Sequence, residues 1–115
     1  MSEKINPIIL HDKGQDYVLD FDLESVKFAE ALGFIWDEMA TKPATMIPNL
    51  WFAAFRRYNK KVSRREADEL LEKIGGMTKE ISNRLAELYF QAISGLISDE
   101  DSADERKNAE VTVEL

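Results

Sequence analysis

The sequence predicts an α+β fold, mainly helical, in which an N-terminal β-hairpin is followed by a bundle of about four helices. Three observations lead there. Tyr17, Leu19 and Phe21 alternate with Val18 and Asp20 after a turn-forming segment, the signature of a strand with one apolar face. Downstream, cap residues precede apolar residues recurring at spacings of three and four, the signature of amphipathic helices. After Ile97 the periodicity dissolves into an acidic segment. The chain has 115 residues and 44% apolar content, enough for one core and too little for two. Residues 1–97 are therefore expected to form the domain, and residues 98–115 an acidic, disordered tail.

Each element follows from local chemistry. "PIIL" (Pro7 to Leu10) and "YVLDF" (Tyr17 to Phe21) flank "HDKGQD", whose Gly14 and aspartates suit a turn. Asp22 is the expected N-cap of a helix through "LESVKFAEAL" that stops at Gly33, with Phe34 placed for the apolar contact that accompanies a glycine end. "FIWDEMATKP" reads as irregular or a short helical turn. Thr45 is the next expected cap, with Pro48 in the first turn, where a missing N–H costs little. Ile47, Leu50, Trp51, Ala54, Phe55 and Tyr58 then share one helical face. Ser63 and Glu66 have capping-box spacing ahead of Ala67, Leu70, Leu71 and Ile74, and Gly75-Gly76 ends that helix. Thr78 caps the longest helix, with Ile81, Leu85, Leu88, Tyr89, Ala92, Ile93 and Leu96 along one side. The final "VTVEL" alternates like a strand able to pair with a sheet edge on a partner.

The composition narrows the function. No cysteine is present, which excludes disulfide and thiolate chemistry and fits a reducing compartment. No apolar run reaches membrane-spanning or signal-peptide length, so a soluble intracellular protein is expected. The net charge of −7 divides into −5 for residues 98–115 and −2 for the rest. The single histidine, His11, falls in the expected turn with Asp12 pointing away from it. A general base needs a partner within hydrogen-bond reach, and a metal site needs converging ligands. Neither is visible, no phosphate-binding glycine loop occurs, and the acidic "DEDSADE" lacks the glycine and terminal glutamate of a calcium loop. A non-enzymatic protein without cofactor or metal is expected.

Two features remain. "RRYNKKVSRR" holds six bases in ten positions: Arg56, Arg57, Lys60, Lys61, Arg64 and Arg65. The first four suit a helix C-terminus, where cations complement the dipole. Arg64 and Arg65 open the next helix, where positive charge is mildly unfavourable, so an anionic counterpart is expected. A solvated corner, carboxylates of a neighbouring subunit or of this chain's tail, and nucleic acid all fit; the overall negative charge disfavours the last. The second feature is apolar excess. Met46 and Phe52 lie off the Trp51–Phe55 stripe, so this helix is apolar around more than half its circumference and must be buried on several sides. Trp36 and Met39 add bulk nearby. Self-association or a client-binding groove would cover such surface, and Trp36, Met39, Met46, Trp51, Phe52 and Phe55 are the candidate contacts.

The segments "YVLDFDLESVKFAEALGF", "KPATMIPNLWFAAFRRYNKKVSRREADELLEKIGG" and "LAELYFQAISGL" resemble tail assembly chaperones of long-tailed phages and prophages of Gram-positive bacteria. The likeness covers roughly Tyr17 to Leu96 and rests on the hairpin leading into "SVKFAEALGF", the "P-x-T-M-I-P" entry to an aromatic helix, the "K-V-S" corner and the closing "ELY" helix. One departure is Asn59, at a corner where the pattern leads one to expect a histidine. The resemblance implies a protein that self-associates and coats the aggregation-prone tape measure protein before the tail tube polymerises. It further implies a location in the bacterial cytoplasm and absence from the finished virion. A longer product made by translational frameshift would recruit tail tube protein, and this chain would be the short product. The alternative from another class is a small nucleic-acid-binding regulator using the bases from Arg56 to Arg65.

Overall fold

The structure, a computed structural model, describes residues 5–96. The expectations for the acidic tail and for a terminal "VTVEL" strand lie outside those residues. Strands β1 (Ile8–Asp12) and β2 (Gln15–Leu19) form an antiparallel hairpin, followed by helices α1 (Leu23–Ala31), α2 (Pro43–Ala54), α3 (Arg64–Lys73) and α4 (Lys79–Ile93). Short 3-10 turns occupy Trp36–Glu38 and Ser94–Leu96. The α+β class and the hairpin-then-four-helices order are as the sequence predicts.

The hairpin is tighter than "HDKGQD" implies. Lys13 and Gly14 both take positive φ, 51° and 78°, so two residues suffice to reverse the chain. His11 and Asp12 consequently belong to β1, and His11 faces Asp16 across the ladder. Tyr17, Leu19 and Phe21 are buried, as their alternation requires. A two-stranded sheet is marginal alone. Here the outer edge of β2 is closed by the end of α2 and the loop beyond it. Val18 donates its N–H to Asn59 Oδ1 at 2.8 Å, and Asp20 donates to the Ala54 carbonyl at 3.0 Å.

Helix α1 has the predicted cap in full: the Asp22 carboxylate accepts from the Ser25 amide, and the Ser25 hydroxyl accepts from the Asp22 amide. Its end is a Schellman closure, with Gly33 N–H on the Glu30 carbonyl and Phe34 N–H on the Ala29 carbonyl. Gly75 and Gly76 close α3 in the same way, onto Glu72 and Leu71. Ser63 and Thr78 cap α3 and α4 as predicted.

Helix α2 departs from expectation at both ends. It begins at Pro43, not after Thr45, because proline at the first helical position needs no cap. Pro48 thus lies inside the helix, where it deprives the Ala44 carbonyl of its donor. The helix stops at Ala54 with Phe55 as C-cap, so Tyr58 leaves the stripe and stands 54% exposed. Buried Met46, Asn49, Leu50, Trp51, Ala53 and Ala54 place α2 at the centre of the domain. It packs against α1, α3 and the Trp36–Glu38 turn. The all-round apolar character of α2 is met by its own chain.

Candidate functional site

Helix α2 connects two surfaces. At its start, Met46 Sδ accepts the Ile35 N–H at 3.3 Å, and Asn49 donates to the Leu32 carbonyl at 3.1 Å. These bonds hold the segment from Leu32 to Trp36. At its end comes the basic corner. The two surfaces contain most of the residues the sequence singled out, in unequal states.

The aromatic candidates divide. Met46, Trp51 and Phe55 are buried in the core at 5%, 0% and 1% exposure, so as they stand they offer a client nothing. Trp51 donates its indole N–H to the Ala67 carbonyl at 2.7 Å, tying α2 to α3. Phe52 is half-buried, edge-on to Phe28, with the Arg64 guanidinium 5.7 Å from its ring centre. Met39 is half-buried against the core. Trp36 differs from all of these. Its ring lies edge-on to Phe34 and Tyr89 and stacks on Phe90 at 5.3 Å with an interplanar angle of 29°. Phe90 is 49% exposed and Ile35 48%. Trp36 and Phe90 make an apolar shelf, and exposed Ile35 precedes it in the chain. Among the described residues the buried Trp36 indole nitrogen has no hydrogen-bond partner, a defect that a close-packed interior rarely keeps.

The sequence reading missed Phe90. Its neighbours Leu85, Leu88 and Tyr89 define the buried stripe of α4, and Phe90 is the large apolar side chain turned off it. That off-stripe position was the available signal. Acids lie close by in the chain: Asp37 follows Trp36, Glu87, paired with Arg84 at 3.8 Å, lies one turn before Phe90 on α4, and Glu30 acts on Tyr89. Burial, aided by Glu30, raises the Tyr89 phenol above its ordinary pKa, so the hydroxyl stays protonated.

At the corner, the structure partners four of the six bases. Arg57 sits 3.0 Å from the Asp20 carboxylate and 3.8 Å from Asp22, with its guanidinium over Tyr58. Arg64 and Arg65 pair along α3 with Asp68 and Glu69, each at 3.3 Å. The expected anionic counterpart of these two arginines is therefore their own helix, one turn on. Arg56 stacks over Phe28 at 4.7 Å. Arg56 and Arg57 follow the C-cap of α2, and Lys60 and Lys61 lie in the connecting loop, so the dipole argument reaches fewer of the bases than expected. Neither lysine has an ion-pair partner among the described residues. Beside them opens a hollow of about 570 Å³, lined by Gln15, Arg57, Tyr58, Lys60 and Lys61 among others. Asn59, the residue that departs from the expected histidine, lines the hollow and accepts the Val18 N–H through its Oδ1.

Elsewhere, His11 pairs with Asp16 at 2.5 Å on the exposed side of the hairpin, a contact that the two-residue turn creates. Among the described residues, no group of three or more His, Cys, Asp or Glu side chains is placed to hold a metal ion, and no helix is long and apolar enough to cross a membrane.

Comparison with known proteins gives a family. The chain belongs to the family described as a domain of unknown function (DUF5055), whose model matches residues 1–115. No curated protein and no solved structure matches it.

Proposed function

We propose that this DUF5055 member is a tail assembly chaperone that keeps a tape measure protein soluble in the host cytoplasm while a phage tail is built. The segment likeness from Tyr17 to Leu96 supplies the assignment, and one structural observation supports it: the shelf of Trp36 and half-exposed Phe90. Apolar helix faces of a long client fit such a surface, and stacked aromatic rings tolerate varied side chains. The acids around it favour client segments with basic flanks. Weak sites repeated on many copies along one client give tight coating that a growing tube still displaces.

This reading moves the client contact from α2 to the edge between the Trp36–Glu38 turn and α4, since Trp51, Phe55 and Met46 are committed to the core. It is non-enzymatic, requires no cofactor, and leaves recruitment of tail tube protein to a longer product. The test is co-expression with the tape measure protein encoded beside the gene. The expected result is a client that is soluble with the wild-type chain and insoluble with a Trp36→Ser, Phe90→Ser variant that itself stays folded. A client that is insoluble with and without the chain refutes the proposal. Binding of the regulator type predicts instead a DNA complex that weakens steeply with salt.

A further inference from the structure

We propose that the basic corner of one copy is the docking site for the acidic segment 99–105 of a second copy. The inference stands on charge, on reach and on a hollow that is already formed, and it does not depend on what the shelf binds.

Charge comes first. Lys60 and Lys61 are the two corner bases without an ion-pair partner among the described residues, and Arg56 meets only the face of Phe28 there. The two lysines border the hollow of about 570 Å³ whose wall includes Tyr58, 54% exposed, Arg57 and one acid, Glu66. The chain also carries the complement. "DEDSADE" holds five acids in seven positions, Asp99, Glu100, Asp101, Asp104 and Glu105, with no base among them. No other stretch of the sequence is as acidic, and no other is as basic as the corner. Oppositely charged patches of this density on one molecule steer copies toward each other and fix which face meets which.

For the leading acids, reach favours a second copy over the same one. Helix α4 ends at Ile93, three residues past Phe90, which stacks on Trp36 beside the start of α2. The corner follows the other end of α2. A helix of 12 residues spans about 18 Å. From Leu96 to Asp101 a fully extended chain covers at most about 17 Å. Asp99, Glu100 and Asp101 are thus held within about 17 Å of their own Leu96, whereas Asp104 and Glu105 extend further; a neighbour's corner can meet all five acids together. Each copy has one corner and one acidic segment, so the contact is head-to-tail and repeats from copy to copy. A polyanion competes for the same lysines, which makes the segment a guard against nucleic acid as well as a link.

The experiment uses full-length chain. With no native cysteine, Ser102→Cys provides a single attachment point for a nitroxide. Spin-labelled chain at natural isotope abundance is mixed with unlabelled ¹⁵N chain, and amide intensities are read on the latter. The expected result at low salt is selective loss of the Tyr58, Asn59, Lys60 and Lys61 signals. The intensities recover at about 1 M salt, where the screening length is ~3 Å. They also stay intact when the observed copy carries Lys60→Glu and Lys61→Glu. Corner signals unaffected in the mixture overturn the proposal. So does broadening that appears only when label and isotope share one chain, because that result puts the segment on its own corner.

Discussion

The chain's two tryptophans occupy opposite situations. Trp51 is fully buried, ringed by α2, α3 and Phe55, and its N–H reaches the Ala67 carbonyl at 2.7 Å. Trp36 is half-buried on a 3-10 turn, its N–H has no acceptor among the described residues, and it stacks on the half-exposed Phe90. An aromatic ring that must hold a fold is given a complete set of contacts; Trp36 lacks one polar bond and part of its cover. The difference separates a residue that stabilises from a residue left available.

Matched substitutions break or sharpen this contrast. Trp51→Phe is expected to cost about 2–4 kcal/mol, since it leaves a cavity and removes the indole bond that ties α2 to the Ala67 carbonyl. The measurement is urea denaturation, and a loss below that of the substitutions that follow would remove Trp51 from its central place. Asn59→Ala comes next, at about 1–2 kcal/mol, because the Val18 N–H loses its acceptor at the edge of β2. Hydrogen exchange at Val18 should accelerate more than exchange in α4.

Ser25→Ala removes half of the α1 cap and is expected to cost about 1 kcal/mol. It also carries a pH signature. Burial pushes the Asp22 carboxyl up, but the Ser25 amide and hydroxyl, with Arg57, outweigh it and hold the pKa below the ordinary 3.8. A depressed carboxylate contributes stability that is complete above its unfolded value and is lost as pH falls through the folded one. Removing the hydroxyl should move that acid limb to higher pH in a stability profile. Smallest of all is Trp36→Phe, with an expected change within about 0.5 kcal/mol, or a slight gain, because it deletes an unpaired buried donor. A large loss there would mean that Trp36 is as structural as Trp51.

The elements most legible in the sequence were those governed by local chemistry. Asp22, Gly33, Ser63, Gly75-Gly76 and Thr78 mark their helix ends because each acts within one turn of itself. What failed depended on context. Pro43 and Pro48 both qualify as helix-starting prolines, and five residues of sequence do not say which one the tertiary packing selects. The apolar excess of α2 was visible, but that α1, α3 and the Trp36–Glu38 turn cover it is decided by tertiary packing and not by local sequence. Likewise Arg64 and Arg65 looked unfavourable from their place at a helix start, although their partners Asp68 and Glu69 were in view four residues on. The shelf was half visible: Trp36 was singled out, while Phe90 passed as one more ring beside a periodic stripe.

The closing of β2 by Ala54 and Asn59 has a consequence for synthesis. The strand emerges from the ribosome some forty residues before the groups that satisfy its edge, so the first turn of polypeptide cannot complete itself as it appears. Until α2 and its following loop have left the exit tunnel, the nascent hairpin carries open donors, and its ordering should coincide with the arrival of Asn59 rather than with its own translation.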